Sequence, residues 1–159
     1  MEFNTEIFSQ FDKKWALLSA GTLDAHNSMT ISWGGMGTLW SKPVVTVYVK
    51  PIRFTHKFMS ENEYFTVSFL PEDRRQAMLT MGSITGRHHT DKDAAAGLTV
   101  KDLGNAVTYE EAELVFLCKK IFWQDMITMH MPEEVVHEYY TPEEPHTIFI
   151  GEVVDIIRK

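Results

Sequence analysis

Two β-branched and aromatic runs near the middle of the chain, Val44 to Val49 and Tyr64 to Leu70, commit it to a sheet. The first, Val-Val-Thr-Val-Tyr-Val, is opened by Pro43 and closed by Pro51, residues with no N–H to give a ladder and therefore natural ends for strand pairing. The second alternates strictly and sets Phe65, Val67 and Phe69 on one face. Thr55 is placed to cap a short helix between them that runs through Glu61 and turns Phe54, Phe58 and Met59 toward the sheet. Further strands are predicted at Ala106 to Tyr109, Leu114 to Trp123 and Thr147 to Ile157. Helices are predicted from Glu72 to Met81, after a capping Asp91 until Gly97, and around Pro132 to Tyr140. Gly82 to Asp91 follows neither period and reads as a long polar turn, the kind of segment that often carries function. Many strands, few short helices and little β–α alternation predict a mainly β chain, a closed or partly closed barrel with peripheral helices.

Length and composition narrow the function. At 159 residues the chain is expected to form a single domain over residues 1–159, and no apolar run approaches the ~20 residues that span a membrane. The acidic start, Met-Glu-Phe-Asn-Thr-Glu, is unlike a signal peptide, so a cytoplasmic location is expected. A net charge of −7 opposes nucleic-acid binding, which needs concentrated Lys and Arg. Within that acidic background Arg53, Lys57, Arg74, Arg75, Arg87 and Lys92 gather in one stretch, enough to serve a small anion, although each taken singly also reads as a solvated surface charge. The single cysteine, Cys118, lies in an apolar strand and reads as a packed thiol.

The segment Asn27 to Trp40, Asn-Ser-Met-Thr-Ile-Ser-Trp-Gly-Gly-Met-Gly-Thr-Leu-Trp, combines hydroxyls, glycines and two indoles. Such a mixture suits a flat ligand with a polar edge, since glycine opens the backbone to close approach and indoles offer apolar planes. A hairpin with core tryptophans is the alternative. Other motifs fail. Gly35-Met-Gly37 is followed by a strand where a dinucleotide fingerprint needs a helix, the Gly82 to Arg87 turn lacks a P-loop ending, and no Gly-x-Ser-x-Gly elbow occurs. Seven histidines include no His-x-His or His-x-x-x-His pair, so no metal is expected; His146 stands apart because it enters the last strand, where it can present an imidazole at a barrel mouth. Arg53 and Thr55, at a strand-to-helix junction, form an anion-binding pattern that Arg87 and Lys92 can close.

Taken in order, 27–33, 42–55, 64–69, Ser-Ile-Thr-Gly-Arg at 83–87 with Asp91-Lys92, and His-Thr-Ile-Phe-Ile-Gly-Glu-Val at 146–153 resemble the flavin reductase-like family of FMN-binding split barrels, particularly its flavoredoxin-type members. The resemblance implies an antiparallel six-stranded Greek-key split barrel with short peripheral helices, a homodimer, and FMN in a cleft near the dimer interface. It implies that Asn27 to Trp33 is the loop facing the isoalloxazine, with Asn27, Ser28, Met29 and Thr30 on the ring edge or ribityl chain. Arg53, Thr55, Ser83, Arg87 and Lys92 match phosphate ligands, and His146 matches a histidine on the nicotinamide side, preceded here by Glu144-Pro145 where such members often have Asp-Tyr. The function implied is an NAD(P)H-dependent flavin reductase or a flavoredoxin-like electron carrier, using NADH or NADPH and passing electrons to a partner protein or free flavin. A non-catalytic flavin- or haem-binding module is the alternative.

Overall fold

The computed structural model describes residues 6–159, which run α1 (Glu6–Asp12), β1 (Ala16–Thr22), β2 (Ala25–Ile31), β3 (Gly34–Leu39), β4 (Lys42–Val49), α2 (Phe54–Glu61) and β5 (Tyr64–Phe69). A 3₁₀ turn then leads to α3 (Arg75–Ser83), α4 (Lys92–Ala95), β6 (Val100–Asp102), β7 (Val107–Tyr109), β8 (Leu114–Asp125), α5 (Glu133–Tyr139) and β9 (Thr147–Arg158). Every strand and helix expected from the central and C-terminal patterns is present, with ends displaced by a few residues. One cap assignment is corrected: α2 starts at an Arg53 N-cap, and the Thr55 hydroxyl is engaged by Asn27 instead, whereas Asp91 stands at the N-cap of α4 as expected, though without a side-chain cap bond.

The expected six-stranded barrel is also corrected. The main sheet has seven antiparallel strands in the order β2-β1-β5-β8-β9-β4-β3, and its ladder does not close. Its two end strands, β2 and β3, are consecutive in the chain and separated only by Ser32 and Trp33. In a flat sheet the end strands would lie about 29 Å apart, whereas that link reaches only about 10 Å. The sheet must therefore curl until its ends approach.

The seventh strand was concealed by three glycines. Gly34–Leu39 has poor strand propensity, yet it pairs residue by residue with β4, from Gly34 opposite Val47 to Leu39 opposite Lys42. The hairpin turns through Trp40 and Ser41, whose φ values of 53° and 58° are the paired left-handed conformations of a type I′ turn. Strand β1, Ala-Leu-Leu-Ser-Ala-Gly-Thr, reads poorly as a strand from its Ala and Leu content, but it lies between β2 and β5 with both faces buried, so packing overrides propensity.

Alternation then divides the core. Leu18, Ala20, Val45, Val47, Phe65, Val67 and Phe149 meet inside the curl, joined by Phe11 of α1 and Met59 of α2. On the other face of β1, Leu17 packs with Ala77, Met78 and Met81 of α3 and with Tyr109. The polar members of β5 are covered too: Thr66 Oγ1 donates to the Val107 carbonyl at 2.7 Å and the Ser68 and Thr108 hydroxyls lie 2.8 Å apart, so the small β6–β7 sheet seals that face. Cys118 is buried, and burial pushes its thiol up to about 12, consistent with a packed, inert group.

Because neither Trp40 nor Ser41 favours a positive φ and Trp40 is exposed, Trp40→Asn with Ser41→Gly should stabilise the fold by about 1 kcal/mol. Thermal unfolding should show a gain of about 2–4 °C in Tm; a loss would mean that the tryptophan contributes packing at the hairpin tip.

Candidate functional site

A cleft of about 420 Å³ opens where β2, the end of β4, the start of α2, the turn after α3 and the segment before β9 converge. Its size suits a small-molecule ligand. Period-2 alternation along β2 decides what faces it: Asn27 and Met29 line the cleft, while Ser28 between them meets Ser19 and Tyr109 on the other side. Asn27 is fixed by donating from Nδ2 to Thr55 Oγ1 at 2.8 Å. The turn after α3 presses against it so closely that a Cβ at Gly86 would stand 2.1 Å from Asn27 Oδ1, so only glycine fits there.

One end of the cleft is cationic. Lys92 is buried and its Nζ donates to the Ser28 carbonyl at 2.6 Å, leaving two of its three N–H groups for a ligand or water. Burial first, then the neighbouring Arg53, hold its ammonium down to about 8, with Asp93 acting in the opposite direction. Arg53, on the rim, donates to the Gly82 carbonyl at 3.3 Å, and Ser83 and Thr55 add hydroxyls to the same wall.

The other end is aromatic. His146 is buried against Trp33, Tyr48 and Tyr140, with ring centroids 5.7, 6.4 and 5.5 Å away, and its Nδ1 lies 2.8 Å from the Tyr140 hydroxyl. Burial first, then the Lys50 cation, hold the imidazole down to about 4, with Glu143 opposing. It is therefore neutral near pH 7, with one ring nitrogen a donor and the other an acceptor. Lys50 ties the end of β4 to the segment after α5, donating to Glu143 Oε2 at 2.5 Å and to the Tyr139 carbonyl at 2.7 Å.

The flavin reductase like domain family matches residues 8–159. The chain belongs to this family. Among solved structures, the flavin reductase-like chain is similar to a flavoredoxin of Desulfovibrio vulgaris (Miyazaki F), at 21% identity over 91% of this chain and 69% of that one with a TM-score of 0.69. A flavoredoxin from Methanosarcina acetivorans matches at 18% identity over 92% and 68% of the two chains with a TM-score of 0.72. An NADH:FAD oxidoreductase of Streptomyces globisporus C-1027, in complex with NAD and FAD fragments, matches at 19% identity over 96% and 79% with a TM-score of 0.70. At these identities the likeness establishes the fold. No curated protein matches the chain.

Of the site residues read from the sequence, the flavin reductase-like fold brings Asn27, Met29, Arg53, Thr55, Ser83, Lys92 and His146 into one cleft. Four others stand elsewhere. Ser28 lies behind the wall, Thr30 Oγ1 donates to the Met78 carbonyl at 2.5 Å, and Trp33 is half-exposed against Tyr139 and His146. Arg87 is exposed above the Phe54 ring, 5.8 Å from its centroid, outside the cleft lining. Nor is 27–33 a loop, because all but Ser32 and Trp33 belong to β2. Arg75 serves the fold, stacking on Trp15 and donating to the Lys13 carbonyl at 2.6 Å. Sequence reasoning passed over Tyr48, Lys50, Gly86 and Glu143 as site residues. Lys50, in Val-Lys-Pro at the end of a clear strand, was the legible one.

The depressed His146 basicity has a defined effect on stability. Below its ordinary value of 6.5 the unfolded chain takes up a proton that the folded one refuses, so stability is full above that pH, falls as pH drops toward 4, and levels off below. An NMR titration of His146 should give a midpoint near 4, and Lys50→Met should raise it, because a depressing cation is lost while Glu143 remains. A wild-type midpoint at the ordinary value would refute the burial account.

Proposed function

We propose that the cleft binds FMN and that the protein acts as an NAD(P)H-dependent flavin reductase or a flavoredoxin-like electron carrier. The observation that carries this is the placing of Arg53 and Lys92 in one wall, where Arg53 raises the cost of charge on Lys92, with a neutral aromatic end opposite. Two cations so arranged are relieved by an anion between them, and a phosphate monoester brings about two negative charges near neutral pH. Arg53, Thr55, Ser83 and Lys92 would hold that phosphate, Asn27 and Met29 the ribityl chain and ring edge, and the aromatic end around His146 would face the nicotinamide side of the ring. The flavin, when bound, supplies the hydride and electron chemistry.

The chain's own task is then binding and alignment. Asn27, fixed by Thr55 and crowded by Gly86, offers a preset amide rather than a mobile one. His146, neutral and held by Tyr140, orients a nicotinamide through a hydrogen bond without giving or taking a proton in the transfer itself. Likeness to flavoredoxins and to an NADH:FAD oxidoreductase supports this class of chemistry. A second copy of the chain is proposed as the structural partner, supported by the exposed Trp123, Val154 and Ile156 on the β8–β9 hairpin. A sedimentation measurement should therefore return a dimer.

The purified protein should carry a flavin absorption spectrum and bind FMN more tightly than riboflavin. Arg53→Ala and Lys92→Met should each cost roughly 1.5–3 kcal/mol of FMN affinity, less at the exposed Arg53, and leave riboflavin affinity alone. His146→Ala should keep FMN binding while slowing NAD(P)H oxidation by up to about a hundredfold. Equal affinity for FMN and riboflavin would remove the phosphate assignment, and undiminished oxidation by His146→Ala would reduce that histidine to a structural part.

A further inference from the structure

Behind the cationic wall lies a polar cluster that none of the roles above uses. Asp93, next to Lys92 in α4, accepts from the Tyr109 hydroxyl at 2.5 Å through Oδ1 and contacts His26 Nε2 at 2.9 Å through Oδ2. Tyr109 Oη is also 2.7 Å from Ser28 Oγ, which lies 2.6 Å from Ser19 Oγ. These residues come from β1, β2, α4 and β7, and Tyr109, Ser19 and Ser28 are almost wholly buried. A tyrosine, two serines and a carboxylate cost several kcal/mol to bury unless each finds partners, and here they find one another. What the cluster encloses is the Ser28 strand segment whose carbonyl receives Lys92 Nζ.

We propose that Asp93, gripped by Tyr109 and His26, is the positioning residue of the anion site: it fixes the short α4 turn against β2 and β7 and supplies the negative charge that keeps Lys92 in its charged form inside the cleft. This rests on Lys92 serving an anion, as proposed above. A lysine on a four-residue helix after a long polar turn has every entropic reason to swing into water. It is held instead by its bond to Ser28 and by the anchoring of the residue beside it. The charges around Lys92 are few. Arg53 faces it from the start of α2 and opposes its charge, while Asp93 favours it. Asp93 itself stays ionised, its carboxyl held down by His26, Tyr109 and Lys92 against the cost of burial, and Tyr109 is kept a neutral donor by burial and by Asp93. His26 is raised by its bond to Asp93, so at lower pH the pair becomes neutral overall and part of the support for Lys92 is withdrawn. Asp24 and His89 line the outer cavity beside the pair.

The test separates Lys92 itself from the ligand. Lys92 is titrated through its Cε NMR signal, assigned with Lys92→Arg, and FMN and riboflavin affinities are measured in parallel. Wild type should titrate near 8. Asp93→Asn, which keeps the shape and removes the charge, should lower that midpoint, and each pH unit of displacement lowers the charged fraction, and with it the FMN-over-riboflavin preference, about tenfold on the alkaline side. Tyr109→Phe, which keeps the charge and the ring but loses one bond, should show a smaller change in the same direction and serves if Asp93→Asn unfolds. An unmoved Lys92 midpoint in both variants would overturn the proposal and leave the cluster a structural clamp. If wild type binds FMN and riboflavin equally, the phosphate assignment falls, while a displaced Lys92 midpoint would still uphold the role of Asp93.

Discussion

The shortness of the link between β2 and β3 governs the rest of the molecule. Two residues join strands that stand at opposite ends of a seven-stranded order, and the sheet has to bend to satisfy them. Bending brings the inward side chains of β1, β4, β5 and β9 into one core, and it carries the β2 residues Asn27 and Met29 round toward the ends of β4 and β9. A flat sheet of the same strands would leave Asn27 remote from Thr55 and from His146. The cleft is thus a product of topology before it is a product of its side chains.

Curvature also creates the demand for cover. Strand β1 is buried on both faces, so its outer side, like that of β5, had to be roofed, and α3 does this with Ala77, Met78 and Met81 while β7 does it with backbone and hydroxyl partners. A roof that carries hydroxyls can meet polar residues without penalty, and this is why Ser19, Thr66 and Ser68 are tolerated in nearly dry positions. The roof and the site share residues: Tyr109 packs with Leu17 and Met81 and at the same time bonds to Asp93. Core and cleft are therefore built on one set of contacts.

The sequence disclosed what local chemistry controls. Val44 to Val49 and the Phe65, Val67, Phe69 face declared themselves by period and by bounding prolines, and Arg53 with Thr55 declared a junction able to hold an anion. It concealed what depends on partners far away in the chain. Gly34 to Leu39 becomes a strand only because β4 pairs with it, and β1 only because its neighbours enclose it. Lys92 was readable as a cation but not as a buried one, since its burial depends on Ser28, and Tyr109 reaches the same wall from a separate small sheet. Arg87 misled because a basic residue in a polar turn after Gly86 looks like a ligand whichever way it points, and here it lies over Phe54.

The segment between β8 and β9 has a property of its own. The two strands pair as far as Asp125 opposite Thr147, Thr147 Oγ1 donates to Asp125 at 2.6 Å, and the Met126 N–H bonds the His146 carbonyl at 3.0 Å, so the neck of residues 126–146 is tied shut whatever lies beyond it. Loop closure is already enforced by the ladder, and changing the length of what hangs from it costs only about 0.6 kcal/mol per doubling. Tyr139, Tyr140 and Glu143 all belong to that appendage, whereas Asn27, Arg53 and Lys92 belong to the scaffold. The part of the aromatic end that Tyr139, Tyr140 and Glu143 supply is thereby a replaceable cassette, while Trp33, Tyr48 and the cationic end stay with the scaffold, so this fold can exchange part of what it meets at one end of the cleft and keep the other end unchanged.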